Sequence, residues 1–180
     1  MALLKILTDD NPRLRLKSQR VVKFDKDLRQ LATNLIKTMQ QSNGVGISAP
    51  QVGELIKLIV LDIPEDMEYD GSSAFKAVVV NPEIVKCEGE QLGEEGCLSV
   101  PGWYGEVKRF KHIVVKGQDI FGKPVKYKAS GFNAVVFQHE IDHLSGILFT
   151  DLVLPNTLHK SKAAEEAMKD EIEEKVGESV

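Results

Sequence analysis

The stretch "QHEIDHLSG", residues 138–146, sets two histidines four residues apart with a glutamate directly after the first. On an α-helix, residues four apart lie on one face, about 6 Å apart along the axis. His139 and His143 are therefore spaced to hold one metal ion. Glu140 projects beside that ion, where a general base for an attacking water belongs. The preceding "FNAVVF" extends the stretch over 132–146, long enough for a buried helix, and Gly146 is a good C-terminal stop.

A catalytic ion of this kind needs a third protein ligand and one open position. A third histidine after the glycine is ruled out, because Phe149 stands there. A downstream glutamate, Glu165 or Glu166, falls in a charged segment that reads as a solvated helix face. His112 reads as a strand residue and His159 as a surface residue. The remaining candidate is Cys97, in "EEGCLSVPGW", where Gly96, Pro101 and Gly102 mark a tight irregular segment suited to presenting a thiolate. Cys87 reads as a packing residue.

Outward from these segments, residues 25–41 carry Leu28, Leu31, Leu35, Ile36 and Met39 at helical spacing, with Asp25 as N-cap. Residues 55–62 and 77–85 are rich in β-branched side chains and read as strands. An acidic loop spans 63–73. Residues 112–130 form a hairpin with Gly122 in its turn. A charged helix is expected over about 156–176. This order gives an α+β fold: antiparallel β-sheets packed around a central metal-binding helix, followed by a C-terminal helix. Residues 1–180 are expected to form a single catalytic domain, with about 156–180 as a charged helix and tail.

The 180 residues suffice for one sizeable core. A net charge of −4 gives no basic footprint for nucleic acid, so no direct nucleic-acid binding is expected. The N-terminal "MALLKILTDD" lacks the apolar region and cleavage site of a signal peptide. No run approaches the ~20 apolar residues of a membrane span. Two cysteines make no disulfide framework, and a reducing, cytoplasmic setting is expected, where a thiolate can serve as a ligand.

Three segments, "GVGISAPQ" (44–51), "EGCLS" (95–99) and "QHEIDHLSG", strongly resemble the signature segments of peptide deformylase, in the same order. Likeness extends from "ILTDDNPRLR" through "ILFTDLV". The resemblance implies a metallohydrolase that removes the formyl group from N-terminal formylmethionine of nascent polypeptides. It implies Cys97, His139 and His143 as metal ligands, with Glu140 as general base and acid for a metal-bound water. Donors to the oxyanion would be the Gln51 side-chain amide and the Leu98 backbone N–H. Gly44, Val45, Gly46 and Leu98 would meet the peptide, with Val45 and Leu98 lining a methionine pocket; Val135 and Val136 on the helix read either as further lining or as core residues.

Fe2+ is implied as the physiological ion, one per chain, with Zn2+, Ni2+ or Co2+ able to replace it. The family usually has leucine-alanine where this chain has Ile47 and Ser48, and a buried Ser48 hydroxyl must find a partner. In some bacterial relatives a basic C-terminal helix docks on the ribosome. Here residues 159–180 carry four lysines against seven acidic residues, so that association is not expected to carry over. Two other classes fit parts of the pattern: a zinc peptidase cutting internal bonds, and a metal-stabilised binding module. Glu140 argues against the second, since a purely structural site requires no base.

Overall fold

The computed structural model describes residues 2–65 and 73–163. In chain order these form α1 (Lys26–Gln41), β1 (Gly46–Ser48), β2 (Leu58–Ile63), β3 (Phe75–Cys97), β4 (Val100–Gln118), β5 (Pro124–Ser130), α2 (Gly131–His143) and β6 (His159–Lys160). Short 3-10 turns lie at Pro12–Arg15, Ala49–Val52 and Phe149–Asp151. Strands β1 to β5 are neighbours in sequence order and all antiparallel, and β6 adds to β4. The α+β expectation holds.

Strand β2 explains how the two helices are placed. Its side chains alternate between faces. Ile59, Leu61 and Ile63 join Ala134, Val136 and Phe137 of α2 in one core. Leu58 and Val60 join Leu28, Ala32, Leu35 and Met39 of α1 in another. Covered on both sides, β2 reads as an apolar run from Leu58 to Leu61, before Asp62, instead of an alternating one. Helix α1 starts as expected, the Asp25 carboxylate accepting the Leu28 N–H at 3.1 Å. Helix α2 is buried on nearly all sides, with Phe137 fully enclosed. After it, Gly146 takes a left-handed φ of 76°, which stops the helix.

The hairpin of β4 and β5 turns at Gly122, whose φ is 87°. The β3–β4 hairpin, by contrast, is much longer than the sequence suggested. Residues 95–102 are its closed end, with Cys97 paired to Val100 across a tight two-residue link and a register shift between Gly96 and Cys97. The reason is local composition. Every residue from Val85 to Glu90 is exposed, so no apolar alternation marks the strand; backbone pairing with β4 carries it, with a Lys108–Glu90 ion pair across the two strands. Cys87 lies in this exposed part, which corrects its reading as a packing residue.

The C-terminal expectation is also corrected at its start. Asn156 adopts a φ of 66°, and His159 and Lys160 pair with Tyr104 and Trp103 as β6, so no helix begins at 156. Lys162 and Ala163 are helical, and the remainder of that expected helix, with Glu165 and Glu166, lies outside the described residues, as does most of the acidic loop. No helix among the described residues is long and apolar enough to cross a membrane.

Candidate metal centre

Helix α2 presents His139 and His143 on one face, and the end of β3 brings Cys97 to meet them. One ligand atom from each of the three lies within 4.8 Å of the others. Cys97 Sγ is 3.3 Å from His143 Nε2, and the two imidazole rings are 5.0 Å apart at their centres. His143 is 1% exposed, and its Nδ1 has no hydrogen-bond partner among the described residues. Neither His112 nor His159 joins this group.

A buried ionic cluster orients the first imidazole. Burial pushes the Glu95 carboxyl up, but Arg109 and His139 outweigh it and hold Glu95 below its ordinary value, hence ionised. An ionised carboxylate only accepts, so the 2.8 Å contact is His139 Nδ1–H donating to Glu95 Oε2. That leaves Nε2 on the side of Cys97, whose hydrogen bond to the ring helps to raise the His139 pKa. Arg109 grips Glu95 with two nitrogens, at 2.7 and 2.9 Å, and also pairs with Asp142 of α2.

Protonation within the donor set is uneven. Burial disfavours the His139 imidazolium, yet Cys97 and Glu95 raise its pKa well above the ordinary value. Burial, seconded by the neighbouring His139 charge, pushes His143 well below. A cation placed among the three donors would take the place of the extra proton on His139. One soft thiolate with two imidazoles suits a first-row divalent ion.

Glu140, directly after His139 on α2, lines the same cavity and is 3% exposed. Burial lifts its carboxyl to about 7, against the lowering effects of His139 and the nearby Ser48 hydroxyl. Its Oε2 has no partner among the described residues. Gly46 is glycine for a steric reason: an added Cβ would sit 2.5 Å from Glu140 Oε1 and 2.9 Å from Val136 Cγ1. Gly44 is similar, since its Cβ would lie 2.8 Å from Leu98 Cδ1.

The Gln51 side chain, 1% exposed, is tied at both ends. Its Oε1 accepts the Ser48 N–H at 2.8 Å and the Ser48 hydroxyl at 2.9 Å. Its NH2 donates to Ser99 Oγ at 3.2 Å and lies 3.6 Å from Cys97 Sγ. The hydroxyl that distinguishes Ser48 has thus found its partner. Beside these groups opens a cavity of about 500 Å³, lined by Val45, Leu98, Val135 and Val136, with Phe132 and Trp103. Its volume suits a small ligand with an apolar side chain.

A family model described as polypeptide deformylase matches residues 3–158. The chain belongs to that family. A peptide deformylase from Thermomicrobium roseum is 48% identical over 153 residues, covering 85% of this chain and 87% of the relative. One from Desulforudis audaxviator is 44% identical over 163 residues, covering 90% and 99%. Among solved structures, a peptide deformylase from Legionella pneumophila superposes with a TM-score of 0.78 at 44% identity, covering 86% of this chain and 88% of that one. The Ehrlichia chaffeensis enzyme in complex with actinonin gives 0.80 at 33% identity, covering 97% and 98%.

All the residues expected at the site line the cavity or the donor group: Gly44, Val45, Gly46, Gln51, Cys97, Leu98, His139, Glu140 and His143. The supporting groups were missed: Arg109, Asp142, the Glu95 carboxylate, Ser99 and the aromatic wall. A signal for Arg109 exists, since Gly105, Val107 and Arg109 alternate inward while Glu106, Lys108 and Phe110 face out. Chemistry overrode hydrophobicity there, placing the arginine inside and the phenylalanine outside.

Proposed function

We propose that this protein hydrolyses the formyl amide of N-formylmethionyl peptides, releasing formate and the free amino terminus of new polypeptides. Cys97, His139 and His143 hold a single ion, with ferrous iron as the physiological metal and zinc, nickel or cobalt able to stand in. Bound there, the ion supplies Lewis-acid charge that favours ionisation of a water and polarises the formyl carbonyl. The convergence of one thiol and two imidazoles beside a buried, partnerless carboxylate oxygen carries this reading.

Glu140 takes the proton of the attacking water and passes it to the departing amine nitrogen. Its raised pKa, about 7, suits a group that must both accept and release a proton near neutrality. The Gln51 NH2 and the Leu98 backbone N–H donate to the oxygen that gains negative charge. Val45, Leu98, Val135 and Val136 enclose the methionine side chain.

The enzyme acts in the cytoplasm, where nascent chains carry the formyl group and a reducing environment preserves a ligating thiolate. Residues 1–180 act as one catalytic unit. The test is anaerobic purification, metal analysis, then comparison of formyl-Met peptides with unmodified peptides cut internally. Formate release with about one ion per chain is expected. Internal cleavage without formate release would overturn the proposal.

A further inference from the structure

The Gln51 amide is useful only in one of its two orientations. A donor to the oxyanion must turn its NH2 toward the cavity and its carbonyl away. What sets that choice is on the other side of the group, at Ser48, the N-cap of the 3-10 turn Ala49–Val52. Ser48 is fully buried, so its hydroxyl has no water to turn to. The hydroxyl donates to Gln51 Oε1 at 2.9 Å, beside the Ser48 N–H at 2.8 Å.

A carbonyl oxygen has two lone pairs, and Ser48 fills both. Rotating the amide by half a turn would set NH2 against a backbone N–H, donor against donor. It would also leave the oxygen facing Ser99 and the thiolate. On the far side, one amide N–H is used on Ser99 Oγ, and the NH2 nitrogen sits 3.6 Å from Cys97 Sγ at the cavity wall. We infer that Ser48 is a positioning residue, whose buried hydroxyl locks the Gln51 amide with its NH2 toward the thiolate and the cavity. This rests on the oxyanion role proposed for Gln51.

The same hydroxyl is within hydrogen-bonding reach of Glu140, so two routes to the chemistry must be separated. In the metal-loaded enzyme, Ser48→Ala should lower kcat about three- to tenfold, the worth of one neutral hydrogen bond, with KM and metal content unchanged. In a Gln51→Ala background the same change should have less than about a twofold effect. A full three- to tenfold loss in that background would overturn the inference, because Ser48 would then act through Glu140 or through packing.

A second readout needs no turnover. In zinc-loaded protein labelled with 15N-glutamine, the Gln51 side-chain amide protons should exchange with solvent, and interchange with each other, faster in Ser48→Ala. Equal rates in both proteins would also overturn it. Should Gln51→Ala keep full kcat, the oxyanion role falls, and the amide-exchange comparison still decides the locking by Ser48.

Discussion

Replacing Gly46 with alanine should disable the base while leaving every metal ligand untouched. Gly46 is not among the glycines of positive φ, so its backbone accepts alanine without strain. Pairing of Gly46 with Leu61 in β1 and β2 keeps that backbone in place. The new Cβ would stand 2.5 Å from Glu140 Oε1, 3.0 Å from Glu140 Cδ and 2.9 Å from Val136 Cγ1. Real contacts of this kind essentially stop at 3.0 Å, so the carboxylate must retreat by about 0.5 Å, and by about 0.9 Å to reach ordinary contact.

Little space is available for that movement, since Glu140 and Val136 are 3% and 5% exposed. Misplacing a reacting group by ~1 Å can cost ~100-fold in rate. Formate release by Gly46→Ala should therefore fall on the order of 100-fold in kcat, with one ion still bound per chain. Overpacking should also lower stability by about 1–3 kcal/mol, visible as a drop in Tm. Assays of formate release alongside metal analysis decide it. A metal-loaded Gly46→Ala enzyme with kcat within about threefold of the parent would show that the position of Glu140 does not matter to the chemistry.

Glu140→Ala should keep the metal and lose at least ~100-fold in kcat, checked by the same pair of measurements. Cys97→Ala deletes one of three donors, so the ion should be released or easily stripped by a weak chelator, as metal analysis after dialysis would record. Arg109→Met should leave the Glu95 charge buried and half-paired, costing roughly 3–5 kcal/mol in denaturant unfolding. With His139 less firmly held, metal affinity should also fall about 10–100-fold, measurable by competition with a chromogenic chelator. Oxidation by peroxide should inactivate the iron-loaded enzyme, because a ligating thiolate and ferrous iron are both vulnerable; full activity after treatment would argue against Cys97 as a ligand.

Acid stability carries a related expectation. Glu95 is held below its ordinary 4.5 in the folded protein, so its contribution is complete above that pH and disappears as pH falls through the depressed value. Removing Arg109 takes away the largest of the effects that lower it. Acid unfolding of Arg109→Met should accordingly begin at higher pH, followed by intrinsic fluorescence of Trp103.

Local regularities were readable in the chain because each is set by neighbours in sequence. The four-residue step from His139 to His143 fixes a shared helix face. Asp25 caps α1, and Gly122 and Gly146 take the left-handed angles that end a strand and a helix. Family likeness in three short motifs supplied the expected ligand set and the expected base. Where a segment's state depended on distant partners, the chain was silent. Residues 85–95 carry no apolar alternation, and β4 alone makes them a strand. His159 and Lys160 look like the start of a charged helix until Trp103 and Tyr104 offer a strand edge.

Tertiary structure alone decided the supporting shell of the site. Burial and charge pairing act between residues far apart in sequence, as with Arg109 reaching Glu95 and Asp142. The same holds for Gly46, whose reason for being glycine is a carboxylate from another element. Sequence named the groups that could do the chemistry. Their orientation came from contacts that exist only once β1, β3, β4 and α2 are packed together, because a hydrogen bond or a clash is a matter of ångströms in space and not of spacing along a chain.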